Sequence, residues 1–170
     1  MTRHAEVHHA DWIGAPVDLV RRQFADLDHH IAENVHPKLR FEILERGERR
    51  ARYAQEVRLL GIRQRDVFER SLEADGRMLD RAVAGFNKGG SIAFRFTPER
   101  RDAREGTRVD TLVRLPLPPL IGALLRPLLE AQIRREVVAA AEQDRVDIEQ
   151  RGYPRRATGA PLAAPAATHA

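Results

Sequence analysis

The feature that most constrains this chain is a long apolar helix near its C-terminus, predicted over Pro118 to Gly152. Pro118 and Pro119 suit a first helical turn, where a missing amide loses nothing, and Gly152 followed by Pro154 marks the exit. Leu120, Ile121, Leu124, Leu125, Leu128 and Leu129 make the first part almost wholly apolar. Pro127 is predicted to break or kink the helix near Arg126, leaving a main helix of about 24 residues and about 36 Å. Along it Ile133, Val137, Ala140, Ala141 and Ile148 recur at helical spacing. At about 100° per residue, Asp144 falls within roughly 40° of Val137, between Ile133 and Ile148 on the wheel. An acid therefore sits in the middle of the stripe that must be buried. An ionised carboxylate there costs several kcal/mol unless it is partnered, so its partner must be an arginine, a histidine or a metal.

What this helix can pack against follows from the preceding residues. Glu6 to Ile13 reads as a strand, and Gly14-Ala15-Pro16 ends it. Val17, Val20, Phe24, Leu27 and Ile31 then share one face of a helix that Pro37 terminates. From Leu39 to Leu117 the period changes to two, giving six strands. Their turns are signalled at Gly47, Gly61, Asp75-Gly76 and Asn87 to Gly90, with a polar loop over Arg100 to Gly106. The order is strand, helix, six antiparallel strands, long helix. A meander of that length has one face to cover, and only the last helix is long enough to cover it. In β-period terms Gln64, Asp66 and Arg70 share a face with Phe68. If that face is inward, the interior has a polar end; a slip of one residue makes all three solvent groups.

Composition narrows the function. The chain of 170 residues is predicted to form one domain over 1–153, with a disordered tail over 154–170 that lacks periodicity. With no cysteine, disulfides, thiolate catalysis, zinc fingers and a protein-borne iron–sulfur cluster are excluded. Aromatic residues make up only 5%, which predicts an aliphatic core. All basic residues except Lys38 and Lys88 are arginine, and they are interleaved with acids to a net charge of +4. A nucleic-acid surface concentrates charge on one face, so no nucleic-acid partner is expected. Leu115 to Leu125 is the most hydrophobic run, but its prolines and Arg126 keep it far short of a membrane span. A cytoplasmic protein is expected.

This element order resembles the helix-grip fold of the START, polyketide-cyclase and birch-allergen superfamily (SRPBCC). Three stretches carry the resemblance: WIGAPVDLVRRQFADLDHH, VHPKLRFEIL (Val35 to Leu44), and GTRVDTLVRLPLP leading into the long helix. It covers about Glu6 to Gln150. The resemblance implies an α+β fold of about seven antiparallel strands curled around the C-terminal helix. It also implies a cavity for a small hydrophobic ligand such as a lipid, polyketide, sterol, quinone or aromatic compound. Its lining would be drawn from Tyr53, Val57, Phe68, Phe94, Phe96, Val113, Ile133 and Val137. Binding, with cyclase- or dehydratase-type processing, is the function this implies, with no cofactor required.

A narrower resemblance is to the catalytic domains of Rieske-type ring-hydroxylating oxygenases, which hold a mononuclear iron with two histidines and one aspartate. EQDRVDIEQ (Glu142 to Gln150) is similar to their closing-helix motif and puts Asp144 at the carboxylate ligand. FADLDHHIAENVHP supplies His29, His30 and His36, with Asp26 or Asp28 as the acid that orients a ring or relays electrons. The family separates its histidines by four residues; here five lie between His30 and His36, and six between His29 and His36. Projected from the first helix, His29 points away from the sheet and His30 lies at its flank, which favours His30, His36 and Asp144 as ligands of Fe(II). Without its own cluster, such an enzyme would take electrons from a separate redox partner. Surface positions for the histidines, and a structural ion pair of Asp144 with Arg70 or Arg81, are the alternatives. A third reading is a ligand-free, partner-binding adaptor with an exposed apolar patch around Leu120 to Leu125.

Overall fold

Seven strands form one antiparallel sheet in the order β1-β7-β6-β5-β4-β3-β2. The computed structural model describes residues 4–117 and 122–154. The strands are β1 (His4–Ile13), β2 (Arg40–Arg46), β3 (Arg50–Leu59), β4 (Ile62–Leu72), β5 (Met78–Gly85), β6 (Ser91–Arg101) and β7 (Arg104–Pro116). Helices α1 (Val17–Ala25) and α2 (Leu27–Ala32) follow β1, and α3 (Gly122–Glu149) is the last described helix. Every strand from β2 to β7 pairs with its sequence neighbour, and β1 returns to pair with β7 from His4↔Pro116 to Ile13↔Thr107. Bulges at Ile43/Glu45 and Val67/Phe68 add local bend and twist. The architecture is the helix-grip arrangement expected from the sequence. Ala5, Val7 and Leu115 pack with Ile133 of α3, and Ile13, Phe96 and Val109 pack with Ile148.

Four local expectations change. The single helix predicted after Pro16 is two, because Asp26 (φ −82°, ψ 78°) interrupts it and its carboxylate accepts the His29 amide at 2.9 Å. The helical phase restarts at Leu27. As a result Leu27 and His30 are buried, whereas Ile31, placed on the buried face by an unbroken helix, is exposed. The polar loop over Arg100 to Gly106 is a two-residue turn, with Asp102 and Ala103 both at positive φ between β6 and β7. Such a turn matches the twist of the paired strands. Pro127 does not break α3: it lies within the helix near its N-terminal end and is exposed there. The expected helix start at Pro118 to Ile121 and the tail after Pro154 lie outside the described residues.

Candidate functional site

The restart of the helix at Asp26 assembles the site. It turns His30 towards α3, and the loop after α2 brings His36 beside it, with ring centroids 5.0 Å apart. Both reach the same atom. His30 Nε2 lies 3.2 Å and His36 Nε2 3.3 Å from Asp144 Oδ1, and all three residues are buried. Gln23 on α1 donates its amide to Asp144 Oδ1 at 3.0 Å and to Asp147 Oδ2 at 3.2 Å.

The far side of each ring fixes its tautomer. His30 Nδ1 is 2.7 Å from the Asp26 carbonyl, which can only accept, so that nitrogen carries the proton. His36 Nδ1 lies 2.9 Å from Gln143 Oε1, again as donor. In neutral rings both Nε2 atoms then present bare lone pairs to a carboxylate oxygen. Three acceptors cannot face one another in a buried site without a positive charge among them. Either an imidazole is protonated or a cation sits between. Without a metal ion the balance goes to protons. Burial alone would lower the His36 pKa, but the Asp144 carboxylate outweighs it and raises the value above the ordinary one. Burial would likewise raise Asp144, yet the charge and hydrogen bonds of His36 and His30 hold it well below the usual carboxylate range.

The three groups open onto a cavity of about 180 Å³ between sheet and α3. Of the residues expected to line it, Tyr53, Val57, Phe68, Phe94, Val113, Ile133 and Val137 do so. Phe96 does not: it packs edge-on to Phe24 at 5.4 Å in the core between α1 and the sheet, where the first helix already fills the interior. Phe41 lies between the two imidazoles and Tyr53, with centroid separations of 6.4, 6.2 and 6.0 Å. On β4 the inward register holds, so Gln64 and Asp66 are buried. Asn87 donates to both of them, making a closed polar cluster at one end of the wall.

Arg70 answers the question of Asp144's partner. It is bidentate to Asp80, with Nε and Nη2 each 2.8 Å from a carboxylate oxygen, and it donates to the Phe24 carbonyl at 2.8 Å. Tyr53 donates to the same carboxylate at 2.8 Å. Burial and the Asp80 charge push the Tyr53 hydroxyl pKa well above its ordinary value. Arg81 is exposed. Neither arginine is bonded to Asp144, which is held by the two histidines and Gln23.

No protein-family model matches the sequence, and no curated protein matches it either. Solved structures do. TTHA0849 from Thermus thermophilus is 23% identical, over 82% of this chain and 94% of that one, with a TM-score of 0.72. The ZhuI aromatase/cyclase from Streptomyces sp. R1128 is 21% identical over 88% and 99%, with a TM-score of 0.66. A START superfamily protein from Mycobacterium smegmatis is 13% identical over 86% and 99%, at 0.68. The fold is START-like.

Within this START-like frame several site residues carried little sequence signal. His29, expected to point outward, lies with Nε2 2.7 Å from Asp147 Oδ2 and its ring 4.6 Å from that of Tyr153. The restart at Asp26 turns it inward. Asp147 is one helical turn beyond Asp144, a spacing that could have flagged it. Asp80 alternates with Met78 and Ala82 on β5, so its inward direction was readable. Gln23 and Gln143 had no signal, since an amide on a helix is ordinarily a surface group. The acid expected to orient a histidine acts through its main chain: Asp26 offers its carbonyl to His30, and its carboxylate accepts from Tyr153. Asp28 pairs with Arg46 at the surface.

Proposed function

We propose that this protein takes a small lipophilic or aromatic molecule into the cavity and holds a divalent transition metal beside it through His30, His36 and Asp144. The observation that carries the reading is the convergence of a carboxylate oxygen and two imidazole nitrogens whose protons are held on the opposite ring nitrogens by Asp26 and Gln143. Neutral imidazoles oriented by a second hydrogen bond, together with one carboxylate, are the donor set that suits Fe(II) in non-haem oxygenases. Iron held there would supply redox chemistry at coordination positions the protein leaves open. The chain's own contribution is separate. Gln23 fixes the carboxylate, Gln143 and the Asp26 carbonyl fix the rings, and Phe41, Tyr53 and Phe68 shape an apolar wall that keeps water away. With no cysteine to bind an iron–sulfur cluster, turnover would draw electrons from a separate protein.

A second reading is metal-free binding with cyclase- or dehydratase-type processing of a polyketide-like molecule. It is favoured by the likeness to the ZhuI aromatase/cyclase and to a domain of the di-domain ARO/CYC StfQ from the steffimycin biosynthetic pathway (14% identical, TM-score 0.70). Elemental analysis separates the readings. Protein purified with Fe(II) under anaerobic conditions should carry close to one equivalent, and Asp144→Ala none. Absence of bound metal in the wild type at saturating Fe(II) sinks the first reading and leaves the second.

A further inference from the structure

The two ends of the sheet differ in a way that the cavity and its histidines do not explain. In an antiparallel meander the β3–β4 hairpin, the β5–β6 turn and the C-terminal end of β7 all lie at one end. The hairpin touches α3 directly, since the Leu60 amide donates to Gln132 Oε1 at 2.6 Å. At this end four large apolar side chains stand in solvent: Ile62 (54% exposed), Phe86 (60%), Leu124 (82%) and Leu128 (58%). Leu124, Leu128 and Gln132 follow at intervals of four, so the two leucines extend one helical stripe beyond the hairpin contact.

The tips themselves are basic, and the nearest acids flank them: Glu130 pairs with Arg126 at 2.8 Å and Glu56 with Arg63 at 4.0 Å. The three tips read VRLLGIRQ (57–64), GFNKGGS (85–91) and GALLRPLL (122–129); they contain Arg58, Arg63, Lys88 and Arg126 and no acid. The turns at the opposite end read RGERR (46–50), EADGR (73–77) and RDARE (101–105), mixing both signs and lacking any large apolar residue. Apolar side chains that protrude from separate tips, each beside a basic residue, fit a flat anionic interface better than a groove for a peptide. The apolar tips can enter the acyl boundary while the guanidinium and ammonium groups remain at phosphate level.

We infer that the end formed by the β3–β4 hairpin, the β5–β6 turn and the start of α3 docks on the surface of an anionic phospholipid bilayer. No described helix is long and apolar enough to cross a membrane, and docking needs none. The cavity reaches the same end through Leu59 and Asn87. A docked molecule would present that end of the cavity to the lipid, but the inference requires neither ligand nor metal.

Flotation with unilamellar vesicles tests it. Full-length protein should float with mixed phosphatidylcholine–phosphatidylglycerol vesicles at low salt, remain behind with pure phosphatidylcholine, and release as salt rises. Phe86→Ser combined with Leu124→Ser should weaken binding at least tenfold. Arg63→Gln and Lys88→Gln should each weaken it by about fivefold. All four positions are exposed, so unchanged melting temperatures serve as the folding control. Three outcomes overturn the inference: no flotation with anionic vesicles, equal flotation with neutral ones, or a dimer in sedimentation that Leu124→Ser dissolves. The last would assign the patch to a second copy of this chain.

Discussion

Asp80 and Asp144 are both buried in the wall of one cavity, and they are treated in opposite ways. Asp80 is closed off: a bidentate guanidinium and a phenol occupy both carboxylate oxygens, and the arginine's remaining reach is taken by the Phe24 carbonyl. Asp144 instead faces two imidazole nitrogens whose protons are held elsewhere, and Gln23 donates the hydrogen bond that has only one possible direction. An arginine cannot lose its proton, so the Asp80 pair has a single electrostatic state. A histidine pair can gain a proton, lose it, or exchange it for a metal ion. A buried ion pair with Arg neutralises its acid permanently; a buried cluster with His leaves the choice of cation to the solution conditions. On this comparison Asp80 is structural and Asp144 is available for chemistry.

The largest expected effect lies on the structural side. Arg70→Ala removes the charge that neutralises Asp80 beside Tyr53, and should destabilise the fold by about 3–5 kcal/mol. For a chain of this size that lowers the melting temperature by roughly 6–20 °C. The loss should be the same with and without added metal. Calorimetry in chelator and in excess Mn²⁺ or Fe²⁺ checks it, and a metal-dependent loss would erase the distinction between the two acids.

The contrast also explains how much could be read in advance. Helix-grip topology was legible because the period changes from two to 3.6 only once after Leu39, and one apolar helix remained to cover seven strands. Asp144 was legible because an acid on the wheel between Ile133 and Ile148 violates burial rules. Its partner was not. Choosing between Arg70, Arg81 and the histidines depends on strand register and on where a helix restarts, and both are set by tertiary packing. Projection of His29 failed because of one residue, Asp26, whose carboxylate caps a new helix inside the run of apolar spacings that extends to Ile31. Phe96 failed differently. Its inward direction was right, and only the packing of Phe24 against it converts lining into core.

Under the proposed metal site, a smaller effect separates the three ligands from the groups that aim them. Gln143→Leu removes the acceptor that holds the proton on His36 Nδ1 without touching Nε2 or the carboxylate. Outer hydrogen bonds of this kind are worth about 10–100-fold in metal affinity. Titration of metal-free protein with Mn²⁺ or Fe²⁺ should show that loss in Gln143→Leu while the melting temperature in chelator changes little. Retained affinity would mean that Gln143 does not orient His36.

The smallest effect is a slope, and its sign distinguishes proton from metal. The His36 pKa in the folded chain is raised above the ordinary value of about 6.5. Its contribution to stability is therefore complete below that value and is lost as pH rises through the folded one. Asp144 is shifted downward, so its contribution is present at neutral pH and is lost only on strong acidification. Metal-free protein should thus become less stable as pH rises above about 6.5, by at most about 1.4 kcal/mol per pH unit for one proton. Metal requires the imidazole to be neutral, so its affinity rises over the same interval. With saturating metal the decline should vanish or reverse, and His36→Gln should flatten the metal-free curve. The Arg70 guanidinium beside Asp80 does not titrate in this range, so that pair has no proton to exchange for a metal ion. Parallel curves in chelator and in metal would show that the cation between these three groups is only ever a proton.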